Sequence, residues 1–115
     1  MDKLLKYQTS IKKVLSTYKK QGAINPNAKE KLETQLLFDD THNRYHVLRI
    51  GWEDIQHTFL VIFYFEIKDN KIWVQRNISD YDIIGDLEAE GIAEKDIVLA
   101  FHSPRMRPYT GYAVA

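Results

Sequence analysis

The run Phe59-Leu60-Val61-Ile62-Phe63-Tyr64-Phe65 constrains this chain more than any other feature, because it strings apolar and aromatic residues together with no polar interruption. A helix that crosses a bilayer needs about 20 such residues, so the run is too short for a membrane span. Its β-branched and aromatic side chains suit a pleated surface, and the missing alternation predicts a strand covered on both faces. A chain of 115 residues holds material for one core, so a single domain over 1–115 is expected with this strand at its centre.

Three more strand signals flank it. Glu33–Asp39, Tyr45–Trp52, Thr58–Lys68 and Lys71–Arg76 are rich in strand-forming types and are separated by short polar stretches. Asp39-Asp40-Thr41-His42-Asn43 and Asp69-Asn70 have hairpin composition, and short connections require antiparallel neighbours. The expected architecture is α+β: an N-terminal helix on an antiparallel four- to five-stranded meander, a short acidic second helix and an extended C-terminal tail. The first helix covers one face of the third strand, which leaves the other face for something else, a partner included.

From Asp2 to Lys20, apolar residues fall at Leu4, Tyr7, Ile11, Val14 and Tyr18, with Leu5 and Leu15 alongside. That spacing winds them onto one helical stripe, with Lys6, Lys13 and Lys20 on the opposite face toward solvent. Gly22 and Ile24-Asn25-Pro26-Asn27 end the helix in a loop to about Lys31. Ser79 or Asp80 is placed to cap the second helix, Asp82 lies in its first turn, and Gly91 follows Glu90 as its terminator. Ile97–Phe101 reads as a buried strand, and Tyr112-Ala113-Val114-Ala115 as an apolar close to the tail.

Formal charge sums to zero but is unevenly placed. Residues 1–32 carry eight lysines against two carboxylates, and residues 33–115 carry eight Lys and Arg against fourteen. Opposite poles of this kind can steer a partner, pair across a homodimer or pair inside the monomer. The absence of cysteine excludes disulfides and thiolate sites, and Met1-Asp2-Lys3 opens no signal-peptide pattern, so a cytoplasmic address is expected.

No motif announces catalysis. The glycines at 22, 51, 85, 91 and 111 match no phosphate-cradling spacing, and no serine sits in a nucleophile elbow. His42, His46 and His57 lie near Asp39, Asp40, Glu53 and Asp54, but in no ligand spacing, so exposed or hydrogen-bonded histidines are the expectation and no metal or cofactor is assigned. Glu33, Asp39, Asp40, Glu66 and Lys68 imitate a nuclease carboxylate set only loosely. Nucleic-acid contact has candidates in Lys12, Lys13, Lys19 and Lys20 and in Arg105, Arg107 and Tyr109. The competing structural reading ties the two arginines to Asp82, Asp86 and Glu90 in a carboxylate network.

Gly51-Trp52, Lys71-Ile72-Trp73-Val74-Gln75, the run Gly91 to Pro104, and Arg107 with Tyr109 to Ala115 together resemble the XisI-like family over essentially the whole chain. These are excision-controlling factors named for the fdxN element, whose programmed removal accompanies heterocyst differentiation in nitrogen-fixing cyanobacteria. The resemblance implies an accessory, non-enzymatic role beside a recombinase and a companion factor, XisH, itself similar to nuclease folds. It carries over no catalytic residue. The partner-binding residues expected on this reading are Trp52, His102, Arg105, Arg107 and Tyr109, with Lys12, Lys13, Lys19 and Lys20 of the first helix and Arg105 and Arg107 as a DNA-contacting alternative; a homodimer is expected on either reading, since opposite charges and an apolar strand can be satisfied across a twofold.

Overall fold

The computed structural model describes residues 2–21, 31–79 and 81–115. The expected helix-ending loop at Gly22 and Ile24–Asn27, and Asp80 as a cap, lie outside the described residues. Helix α1 spans Lys3–Gln21; strands β1 (Lys31–Asp39), β2 (Arg44–Glu53), β3 (Gln56–Lys68) and β4 (Lys71–Asn77) follow. Helix α2 (Ile83–Ala89), a 3₁₀ turn (Glu94–Asp96), strand β5 (Ile97–Leu99) and a second 3₁₀ turn (Arg107–Tyr109) complete the chain. The sheet order is β1-β2-β3-β4-β5, so the third strand is central as its composition requires.

The first four strands form the expected meander. Asp69 and Asn70 both take the left-handed φ, 55° and 59°, which is what a two-residue turn between Lys68 and Lys71 demands. At the first hairpin, Asp39 Oδ1 accepts from the Thr41 and His42 N–H groups and Asn43 turns left-handed. The second hairpin is tighter than its sequence implied: β2 and β3 pair as far as Glu53 and Gln56, leaving only Asp54-Ile55 as the turn. β5 joins parallel to β4, because a connection that contains a helix returns the chain in the same direction.

Both helices cover one face of the sheet. Tyr7, Ile11, Val14, Leu15 and Tyr18 of α1 and Ile83 and Leu87 of α2 meet Tyr45, Val47, Phe63, Phe65, Ile72, Val74 and Ile97 in a single core. Tyr18 sets its ring edge-on to Phe63 at 4.9 Å and to Tyr81 at 5.5 Å. Leu4 and Leu5, expected on the buried stripe, are exposed at its start, 39% and 53%. No helix among the described residues is long and apolar enough to cross a membrane.

On the lysine face of α1, Lys13 and Lys20 are exposed as expected and Lys6 is half-buried, but this face also makes polar contacts. Lys6 Nζ donates to the Gly91 carbonyl at 3.1 Å and Lys13 pairs with Glu90 at 3.0 Å. Lys3 lies 3.5 Å from Asp96, whose carboxylate also accepts from Tyr7 Oη at 2.6 Å. Lys3, Lys12 and Lys13 of the basic N-terminal segment thus pair with carboxylates inside the monomer, which answers part of the charge asymmetry without a second copy.

α2 is shorter than expected and is capped by Asp82, whose carboxylate accepts from the Gly85 N–H at 3.0 Å, rather than by Ser79. Its end follows the Schellman pattern: Ile92 N–H donates to Leu87 O and Gly91 N–H to Glu88 O, with Gly91 at φ +92°.

β5 stops at Leu99 and does not reach Phe101. Ala100 N–H still reaches Val74 O, but His102 N–H turns back to Leu99 O and Phe101 is 44% exposed. The tail beyond is a hook rather than an extended strand. Met106 and Arg107 N–H groups bond Ser103 O, the second 3₁₀ turn follows, and Ala113 returns as a parallel bridge to Val98, its N–H on Ile97 O at 2.8 Å.

Candidate functional site

Alternation along β3 breaks at one residue. The pairing steps from Val47 opposite Phe63 to Leu48 opposite Val61, which leaves Ile62 as an extra residue in a bulge. Ile62 and Phe63 are therefore both in the core, and the phase of the strand changes across them. Leu60 turns toward the core while Phe59 turns away from the helices, 63% exposed. Within the single chain the helices cover one face of the Phe59–Phe65 run, as expected, and the face left for a partner holds Phe59, which the bulge, invisible as a pattern in one sequence, sends outward.

Residues opposite each other across the ladders share a face, so Phe59 stands with Ile50, Trp52 and His57 of the β2–β3 hairpin, and Leu37 with His46 and Tyr64. Trp52 is 56% exposed, Leu37 51% and Ile55, at the hairpin tip, 89%. The Trp52 ring tilts against His57 at 4.8 Å, and His46 stacks on Tyr64 at 4.2 Å. Burial lowers the His46 pKa, with Arg44 adding to the effect, so its neutral form is favoured. The face is apolar and aromatic in the middle, with charge held to its margins at Glu33, Glu66 and Lys68, as protein-contacting patches are.

At the other end of the same face the tail supplies cover. Val98 is fully buried although it stands outside the helix-side core. Arg107 holds the hook together: its guanidinium donates to the carbonyls of His102 (3.1 Å), Val114 (3.4 Å) and Ala100 (3.4 Å) and lies 5.6 Å from the Trp73 ring. Lys68 Nζ sits 4.1 Å from the same ring. Tyr112 Oη donates to Glu88 at 2.7 Å, a bond that, with burial, pushes its pKa up to about 12.

The arginine–carboxylate network between the tail and α2 is therefore not what forms. Arg107 bonds to the backbone, and Arg105 is exposed with no ion pair among the described residues. Of the five expected partner-binding residues, His102, Arg105, Arg107 and Tyr109 share the hook. Trp52 stands on the hairpin end of β2, on the order of 25 Å along the sheet at about 3.3 Å per residue. Tyr109 is 82% exposed and His102 tilts against Phe101. Leu37 and Ile55 went unnoticed in the sequence, where nothing marks them apart from core residues of the same type, whereas Phe59 was marked only as part of an apolar strand with one face left for a partner.

The alternative lysines divide. Lys12 bonds Asp40 at 2.8 Å, and that bond together with Tyr45 Oη at 2.6 Å holds the Asp40 carboxyl below its usual range. Lys13 is taken by Glu90, while Lys19 and Lys20 lie exposed in the last turn of α1, where the helix dipole favours cations. His42 pairs with Asp39 at 2.7 Å, and among the described residues no group of three or more His, Asp or Glu gathers as metal ligands would.

A family model described as XisI protein matches residues 1–114. The crystal structure of the fdxN element excision controlling factor XisI from Anabaena variabilis superposes with a TM-score of 0.86 at 28% identity, covering 99% of this chain and 100% of that one. A XisI-like protein from the same organism gives 0.86 at 35% identity, with 97% and 99% covered. No curated protein matches. Fold, length and sequence agree, and the chain belongs to the XisI protein family.

Proposed function

We propose that this chain is a non-enzymatic control factor for the excision of a DNA element, and that it acts by binding a protein rather than by contacting DNA. The observation that carries the reading is the uncovered β1–β3 face, where Leu37, Trp52, Ile55 and Phe59 remain exposed on a sheet whose other face is sealed. Exposed aromatic and aliphatic groups framed by a polar margin are costly to leave in water and supply the anchor residues of interfaces. Support for the biological setting comes from the similar Anabaena variabilis protein, which is an fdxN element excision controlling factor. On this reading the partner is the XisH-like companion, the place is the cytoplasm, and the occasion is DNA rearrangement during heterocyst differentiation.

DNA contact through α1 is disfavoured because two of its four candidate lysines are already paired with carboxylates.

The test mixes the purified chain with its XisH-like companion and measures association by calorimetry. Micromolar binding is expected, weakened at least about tenfold by Trp52→Lys or Phe59→Lys, since a buried charge facing an apolar partner costs more than 1.4 kcal/mol. No association, or association untouched by both variants, would sink the reading. A salt-sensitive gel shift of element-end DNA by this chain alone, lost in Lys19→Ala with Lys20→Ala, would move the function to DNA binding.

A further inference from the structure

The two edges of the sheet are treated differently. β5 is three residues long and the tail's Ala113 pairs along it. β1 is nine residues long, its ladder with β2 runs without a register shift through all nine, and no described residue pairs with its outer side. The other two antiparallel ladders both carry bulges. Nor does β1 use the other devices that protect an edge: Thr34-Gln35-Leu36-Leu37-Phe38 contains no charge, proline or glycine. A regular edge with an uncharged five-residue centre, whose outward N–H and C=O groups have no partner among the described residues, is a template for one more strand.

We infer that β1 pairs antiparallel with β1 of a second copy, about a twofold axis passing through Gln35 and perpendicular to the sheet. The register follows from the strand. Full overlap of Lys31–Asp39 with itself puts Gln35 opposite Gln35 and keeps Asp39 away from Glu33 of the other copy. Glu33 then faces Leu37, and a slip of two residues toward the turn brings Glu33 against Asp39, a like-charge pair. Shifts by one residue would put helix-side residues opposite outward ones and are excluded by the axis. In the resulting ten-stranded sheet both helix layers lie on one side, with Leu36 and Phe38 still packed on their own core. The two uncovered faces, each with its exposed Leu37, join into one continuous patch. The pairing does not rest on the excision role.

Light scattering and sedimentation on the full chain at micromolar concentration give the test. The wild type is expected at twice the monomer mass. Gln35→Lys and Gln35→Glu are each expected at the monomer mass with unchanged circular dichroism, because like charges meet on the axis, and an equimolar mixture of the two is expected to recover the doubled mass. The chain has no cysteine, so Gln35→Cys offers an independent readout: mild oxidation yields a disulfide-linked dimer of native fold even if a charged variant fails to fold. A wild type that stays monomeric overturns the proposal. So does a dimer that persists in both charged variants, or one that does not cross-link through position 35.

Discussion

The two faces of the sheet are built from the same kinds of residue and end in different states. On the helix side, Tyr45, Phe63 and Phe65 are fully buried under α1 and α2, and even the polar margins are closed by Lys13–Glu90 and Tyr7–Asp96. On the opposite side the tail shields only the β4–β5 end, and Trp52, Phe59 and Leu37 stay in contact with water. A strand residue's surroundings thus depend less on its type than on which side of a bulge it lies: Phe59 and Phe63 differ by four positions and by 63% against 0% exposure.

The strongest way to break that contrast is to truncate both rings. Phe63→Ala is expected to lower stability by about 3–5 kcal/mol, the usual cost of emptying a buried aromatic site. Phe59→Ala should cost about 0.5 kcal/mol or less, as surface changes do. Urea unfolding of the two variants decides, and equal losses would mean that the outer face is covered within the monomer.

Next in size is the clamp that gives the outer face its partial cover. Arg107→Ala should cost about 1–2 kcal/mol, since its bonds to three carbonyls and its place over Trp73 are lost. Amide exchange at Ala113 should quicken while that at Ile72 stays slow. Arg107→Lys should recover little, because an ammonium lacks the planar fork that spans several acceptors.

Gly91→Ala sharpens the other side of the comparison, where α2 locks onto α1. A side chain at φ +92° is strained, and the added Cβ would come within 3.2 Å of Lys6 Nζ. A loss of about 1 kcal/mol in thermal or urea unfolding is expected. Wild-type stability in this variant would show that the helix end relaxes freely.

The smallest effect is a pH dependence seated on the outer face. His46 has its pKa lowered in the fold by burial beside Arg44, so as pH falls through about 6.5 the unfolded chain takes up the proton first. The contribution of His46 to stability is therefore flat above that point and falls below it. His46→Gln should flatten this part of the profile measured by urea unfolding between neutral and mildly acidic pH; an unchanged slope would show that His46 is not its source.

Much of this fold was legible from residue order. The Leu4–Tyr18 spacing marked α1, Asp69-Asn70 marked a tight hairpin, and Gly91 marked the end of α2, because each is a local preference written in a few neighbouring residues. The candidate surface was legible only in part. Trp52 and the hook residues stood out, but which face of the central strand Phe59 takes did not, since a bulge is decided by how two strands fit and not by either one alone. Arg107 read as an ion-pairing or phosphate-binding group, and its engagement of three carbonyls depends on a turn that brings Ala100, His102 and Val114 together.

By itself, then, the sequence determined the helix, the four-strand meander and the central place of the Phe59–Phe65 strand, because periodicity, turn chemistry and apolar content act over short distances. Tertiary structure alone decided the parallel fifth strand, the pairing of the lysine-rich helix with the acidic one, and the open half of the outer face. Those outcomes depend on contacts between segments dozens of residues apart, such as Tyr7 with Asp96 and Ala113 with Ile97, where geometry rather than local preference chooses among many chemically acceptable partners.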